Sequence, residues 1–322
     1  MDDALRTRAM AQHNVFSTTD ARELGHDDRS ITRAVRRREW VRIRRGFYVL
    51  AEVWAGATSL ERHLYTARAV VRSSRQPVAL SHVTGTVALK IATYEADLST
   101  IHVTRLDGRH GVREHRVMHH EGPLSPHDCL LIDDELLVAP PARTVFGAMT
   151  LGTLDQAVVI GDSALNKQWV DEDALSREAA AWVRVANTRT ARFAVVLLDG
   201  GAESPGESLG RQLFWRQGLP RPQTQFLVIG AGGEVAYLDW YWKDACVGGE
   251  FDGKQKYLRS ADDATDAGEV VFREKRREDW LLETGQVRFL RRMTWADIFV
   301  PGKTASRFRS VIERGRRGDS QR

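Results

Sequence analysis

The stretch running from Asp239 to Lys256, DWYWKDACVGGEFDGKQK, decides how the C-terminal third of the chain reads. It reads as two strands, residues 235–242 and 245–252, with a tight connection between them. Side chains alternate faces along a strand, so Glu250 and Asp252 point the same way. Asp239 lies on the neighbouring strand, and a hairpin brings the three carboxylates to one end of a sheet. Lys254 and Lys256 follow just beyond. Carboxylates this close repel one another unless a hard cation sits among them, and oxygen donors of this kind suit Mg²⁺. A bound Mg²⁺ lowers the pKa of a water and takes up charge on a phosphoryl group, which is what phosphodiester hydrolysis requires. The same residues also fit a plainer role. Acidic side chains at strand ends are commonly solvated, and Asp252-Gly253 is an ordinary turn dipeptide.

Upstream, residues 203–214 read ESPGESLGRQLF. They predict a helix over 207–217 that begins at Glu207 and carries Leu209, Leu213 and Phe214 on one face. The order helix-Glu, strand-Asp, strand-Glu-x-Asp resembles the PD-(D/E)XK nuclease superfamily. It is most similar to the very-short-patch-repair-like branch, in which an aspartate strand is followed by E-x-D-G. The resemblance runs from Glu203 to Phe299. It implies a restriction-endonuclease-like α/β/α core with Glu207, Asp239, Glu250, Asp252 and Lys256 as catalytic residues. It also implies Asp239 and Glu250 as metal ligands and Mg²⁺ as cofactor. Two positions depart from the pattern. Asp252 stands where the superfamily's E-x-K lysine is usual, and a lysine replaces the branch's histidine after D-G.

Bulk properties bound the rest. A chain of 322 residues is too long for one ordinary core, so two or three domains are expected. With 42% hydrophobic and 28% charged residues the composition is that of a globular protein. The net charge is only +4, but arginine far outnumbers lysine and the basic residues cluster. Cys129 and Cys246 are far apart and show no C-x-x-C spacing, which argues against a zinc site or a disulfide framework. No apolar run has the length of a membrane span, and the first residues have no signal-peptide core. A cytoplasmic protein without membrane contact is expected.

At the other end, residues 17–24 and 28–38 read as two helices separated by Gly25. The polar run Ser17 to Asp20 is suited to a cap. Ile31, Ala34 and Val35 form one apolar face of the second helix and leave Arg33, Arg36 and Arg37 outward. Residues 40–50, WVRIRRGFYVL, then alternate apolar and basic residues around Gly46, as a hairpin wing does. Residues 29–45 hold eight arginines and one glutamate. Helix, turn, helix and wing predict docking of the second helix in a DNA major groove, with the wing on phosphates. The DNA-binding residues expected are Arg33, Arg36, Arg37, Arg42, Arg44 and Arg45. Residues 16–25, FSTTDARELG, and 40–49, WVRIRRGFYV, resemble the N-terminal winged-helix domain of AbiE-type antitoxins. Such antitoxins are type IV toxin–antitoxin partners that bind their own promoter, so the resemblance implies DNA and a cognate toxin protein as partners.

The middle reads as mixed helices and strands. An amphipathic helix is expected over 59–71 with Leu60, Leu64, Ala67 and Val71 inward, and strands near 78–80, 101–104 and 112–118. The order Leu80-Ser81-His82, then Pro141 to Thr144, is similar to the antitoxin family's second domain. His82, His102, His115, His119 and His120 have a metal ligand's chemistry, but their spacing fits no zinc pattern. Packing and linking are the roles expected of them. The organisation expected is a winged helix-turn-helix over 1–55, a mixed α/β region over 56–200, a nuclease-like domain over 201–300 and a basic tail over 301–322. The fold class is α/β (α+β). Function reads as a DNA-binding protein with a Mg²⁺-dependent endonuclease domain. The alternative is a transcriptional regulator or antitoxin whose nuclease-like domain is inactive.

Overall fold

The computed structural model describes residues 3–183, 185–253 and 267–319. The chain divides into two compact units, residues 1–160 with 169–195, and residues 161–168 with 196–322. Both mix helices and strands, so the chain is α/β as its patterning predicts. Among the described residues, no helix is long and apolar enough to cross a membrane.

The first unit opens with a winged helix. Helices Asp3–Ala11, Thr18–Glu23 and Asp28–Arg36 precede the hairpin Trp40–Arg44 and Phe47–Leu50. A two-residue strand, Phe16–Ser17, pairs with the hairpin's second strand. Ser17 caps the second helix in a reciprocal box with Asp20, and Asp27 caps the third through the Ser30 N–H. Phe16, Trp40 and Tyr48 pack ring on ring, with Phe16 edge-on to Trp40 at 5.0 Å. Leu5, Ala21, Ile31 and Ala34 close around them.

A six-stranded mixed sheet follows in the same unit. Its order is 112–114, 117–120, 101–105, 78–80, 136–138, 130–132. The boundary expected at residue 55 is bridged by side chains. Arg72 donates to the Val15 carbonyl at 2.7 Å and to Gln12 Oε1 at 3.0 Å. Arg68 donates to Glu135 Oε2 at 2.7 Å, and Glu135 Oε1 accepts from Arg72. Arg44 belongs to this seam as well. Its Nε donates to Ser73 Oγ at 2.7 Å, so it faces helix Ser59–Ser73 instead of lying open beside Arg42. That helix also turns differently from the expectation. His63, Ala67 and Val70 face inward, whereas Leu60 is 42% exposed. The cause is polar: His63 is held by the Leu98 carbonyl and Thr84 Oγ1, both at 2.9 Å, which rotates the inward face toward it.

The second unit is built on a four-stranded sheet in the order Gln223–Ile229, Val235–Trp242, Val247–Asp252, Phe289–Thr294. The first three strands run antiparallel. The fourth is parallel to the third and is reached through helix Ala267–Glu283. Strand 247–252 starts two residues later than the pattern predicts. Residues Lys243–Ala245 form a 3-10 turn, and Cys246 takes a left-handed conformation, φ 49°. Two apolar clusters sandwich the sheet. Trp240, Trp242, Leu213, Phe214, Phe308 and Ile312 form one. Leu238, Tyr241, Val287, Leu290 and Leu281 form the other. The stretch expected as a basic tail is a helix, Pro301–Asp319. Thr304, Ala305, Phe308, Val311 and Ile312 are buried in it at helical spacing, and the arginines between them face out. A further helix, Thr188–Leu197, falls where no element is predicted.

Helix Pro205–Arg216 lies against the sheet through two glycines one turn apart. A Cβ on Gly210 would stand 2.4 Å from Trp240 Cζ2, and one on Gly206 2.0 Å from Phe251 Cε1. No side chain fits either place. This close approach brings the N-terminal turn of the helix, and with it Glu207, down onto the strand ends.

Candidate functional site

Glu207, Asp239, Glu250 and Asp252 line one cavity of about 540 Å³ in the second unit. Arg277, Arg292, Glu274, Tyr237, Ser204 and Trp295 share its wall. Lys256, the fifth catalytic residue expected, lies outside the described residues, as does Lys254.

Each carboxylate is held differently. Glu207 is 8% exposed and belongs to the helix terminus itself. It accepts from Ser204 Oγ at 2.7 Å and from the Glu203 N–H at 2.8 Å, and Gln225 Nε2 lies 3.4 Å away. Burial raises its pKa above the usual value against those hydrogen bonds. Asp239 stands where the antiparallel ladder, paired from Trp242 with Val247 to Trp240 with Gly249, gives way. Its Oδ2 accepts the Phe251 N–H at 2.5 Å. Burial, and then the charges of Glu207 and Glu250, push its pKa up to about 7 against that bond and Arg277. Glu250 is met by cations. Arg277 Nη1 donates to Oε1, and Arg292 Nε lies 3.6 Å from Oε2. The parallel register that places Arg292 beside Glu250 brings the second cation.

Sequence reasoning finds the four carboxylates but passes over these two arginines. The signal for them is the acidic residue at position 252. A site without its usual lysine leaves its carboxylates to be balanced from another element. Among the described residues, no three of His, Cys, Asp and Glu stand close enough together to close around an ion.

In the first unit, Arg33, Arg36, Arg37, Arg42 and Arg45 are exposed, on the third helix and the hairpin. Helix and wing therefore offer five open guanidinium groups to phosphates and base edges.

Residues 3–51 match the family described as transcriptional regulator, AbiEi antitoxin. The AbiEi match spans the three helices and the hairpin just described. Over a longer stretch the chain is similar to two Mycobacterium tuberculosis proteins. They are uncharacterized protein MT2308 of strain CDC 1551 / Oshkosh and uncharacterized protein Rv2248 of strain ATCC 25618 / H37Rv. Each is 30% identical over 132 residues, 39% of this chain and 43% of the relative. The match thus spans less than half of either relative. The AbiEi domain and the carboxylate cavity lie in different units.

The first unit also gathers three histidines that spacing alone leaves scattered. The sheet order places strand 101–105 between 78–80 and 117–120. His82, just past the first of these strands, stacks on His120 with ring centroids 3.5 Å apart. His102 Nδ1 lies 2.9 Å from His120 Nε2, so one neutral ring donates to the other. Burial, followed by the neighbouring histidines, holds His102 at about 4 and His120 at about 3, and His82 well below its usual value. These folded values lie below the unfolded one, near 6.5. The stability the rings contribute is full above that pH and is lost as pH falls toward the folded values. Denaturation of the first unit is expected to become easier by about 2–4 kcal/mol between pH 7 and pH 4. His120→Gln should flatten that dependence. An equal dependence in the variant would place its origin elsewhere.

Proposed function

We propose that the chain is a DNA-binding protein whose AbiEi-type domain docks on duplex DNA and whose second unit hydrolyses phosphodiesters with a divalent cation. The observation that carries the second half is the convergence of Glu207, Asp239, Glu250 and Asp252 on one cavity. Their chemistry fits a hard cation: all donors are oxygens, and Asp239 is held near neutrality by burial and by its acidic neighbours. Asp239 and Glu250 would hold Mg²⁺. Bound there, the ion would supply an acidified water and a counter-charge for the phosphoryl oxygens. The chain's own residues do the rest. Glu207 adds negative charge from the helix terminus, Phe251 orients Asp239 through its N–H, and Arg292 fixes Glu250 beside the parallel strand.

The test is incubation of the purified protein with supercoiled plasmid in MgCl₂ or EDTA. Nicking or linearisation that needs Mg²⁺ is the expected outcome.

A second reading has its own support. The AbiEi match names a transcriptional regulator, and Arg277 already balances Glu250 without an ion. In that reading the second unit is an inactive scaffold, and a cognate toxin protein is the partner the antitoxin resemblance implies. Intact plasmid in Mg²⁺, together with salt-sensitive binding of a fragment from the chain's own promoter, would favour it.

A further inference from the structure

The cavity that lines up the carboxylates also holds an unequal pair of arginines. Arg292 is anchored several times over. It lies 3.6 Å from Glu250, 3.3 Å from Glu274 and 3.7 Å from Glu278, on a strand inside the sheet. Arg277 is held by less. Its Nη1 donates to Glu250 Oε1 and its Nη2 to the Tyr237 carbonyl at 3.1 Å. Its side chain is 41% exposed, and it comes from a helix at the cavity wall. Glu250 itself is only 13% exposed. Its oxygens face one guanidinium each, so a metal ion approaching this carboxylate must take a place that an arginine holds. The weakly anchored arginine is the one that can leave.

Charge forbids a simple departure. Glu207, Asp239, Glu250, Asp252 and Glu274 face only Arg277 and Arg292 around the cavity. Removing one positive charge without replacement would leave five carboxylates against a single cation. Arg277 is therefore held in place until another cation arrives. Once displaced, its planar guanidinium stands at the mouth of the cavity with its donors free. A phosphate diester is the group such a fork binds best.

We infer that Arg277 is a displaceable counter-ion: it occupies Glu250 while no metal is bound, gives way to a divalent cation, and then serves the phosphate of the nucleic acid. This rests on the hydrolase reading above and names the residue that stands in for the absent E-x-K lysine. It assigns Arg277 two successive partners, where a structural ion pair would keep one.

The experiment measures cation binding apart from cleavage, as the thermal shift of the full-length protein titrated with Mn²⁺ alone. Ligand that binds only the native state raises the melting temperature, so the half-saturating concentration can be read from it. Removing a competitor for Glu250 should tighten binding, by about fivefold for a partly exposed pair. Arg277→Gln is thus expected to need about fivefold less Mn²⁺, and Arg277→Lys, which keeps the charge but loses the two-pronged grip, to fall between. Lys275→Gln makes the same charge change on the same helix, away from the cavity wall, and should match wild type. Arg277→Gln should also bind a short DNA duplex more weakly than wild type once Mn²⁺ is present, and equally well in EDTA.

Tighter Mn²⁺ binding by Arg277→Gln with an unmoved Lys275→Gln supports the inference. Unchanged or weaker binding by both Arg277 variants, with wild type binding Mn²⁺, overturns it and leaves the hydrolase reading standing. An equal gain in Lys275→Gln also overturns it, since net charge alone would then be responsible. Absence of any Mn²⁺ shift in wild type and in every variant removes the hydrolase reading and the inference together.

Discussion

Asp239→Asn is expected to abolish Mg²⁺-dependent cleavage and leave DNA binding intact. The substitution keeps the shape and the acceptor for the Phe251 N–H but removes the charge that would hold the ion. Loss of one such charge-stabilising group costs about 10²- to 10³-fold in rate. DNA binding is expected to rest on the AbiEi domain in the other unit and should not change. Stability gives a readout without substrate. The folded carboxyl titrates at about 7, above its unfolded value. The stability tied to it is full below the unfolded pKa and is lost as pH rises through the folded one. In EDTA, wild type should therefore lose about 1–3 kcal/mol relative to Asp239→Asn between pH 5 and pH 8, allowing for partial screening of the site. Chemical denaturation at the two pH values measures it. Mg²⁺ should then raise the melting temperature of wild type only. A variant that still cleaves plasmid would remove Asp239 from the chemistry.

The second large effect lies in the first unit. Replacing Arg33, Arg36 and Arg37 together by Ala should weaken duplex binding by several kcal/mol, at about 1–3 kcal/mol for each arginine that reads a base edge. All three side chains are exposed on the third helix or at its end, so folding should be spared. The dependence of affinity on salt should also become shallower, since fewer phosphates are neutralised. Fluorescence anisotropy at two salt concentrations reads both quantities. Arg44→Ala is a useful contrast: with its Nε on Ser73, its loss should weaken the seam to helix Ser59–Ser73 more than it weakens DNA binding. Undiminished binding by the triple variant would move the interface off this helix.

These expectations depend on how much of the molecule its sequence discloses. The winged helix is legible because its signals are local. Ser17 and Asp27 cap, Gly25 separates, and Trp40 to Leu50 alternates. Strand Val235–Trp242 is legible for the same reason, and Asp239 with it. Helix Pro301–Asp319 is not, because its basic residues draw attention away from an apolar stripe of five positions. The three stacked histidines are hidden more deeply. Strands 78–80, 101–105 and 117–120 become neighbours only through the sheet order, and no window of sequence contains that order. Arg292 meets Glu250 through a parallel pairing of strands separated by a helix, which is equally non-local. Local chemistry can thus nominate carboxylates, while the cations that balance them wait on topology.

The glycine at position 206 has a consequence for how such a protein can be lost. Phe251, the ring it lies against, stands between Glu250 and Asp252 in the chain and donates its N–H to Asp239. That ring is wedged edge-on between Trp295 at 5.2 Å and Trp240 at 6.5 Å, so it has little room to yield. A single methyl group added to residue 206 would push on the one residue that ties three of the carboxylates together. Inactivation by this route would leave every acidic residue in place. It would betray itself as a chain with Glu207, Asp239, Glu250 and Asp252 intact and no thermal response to Mn²⁺, a form of decay that an inventory of altered catalytic residues would pass over.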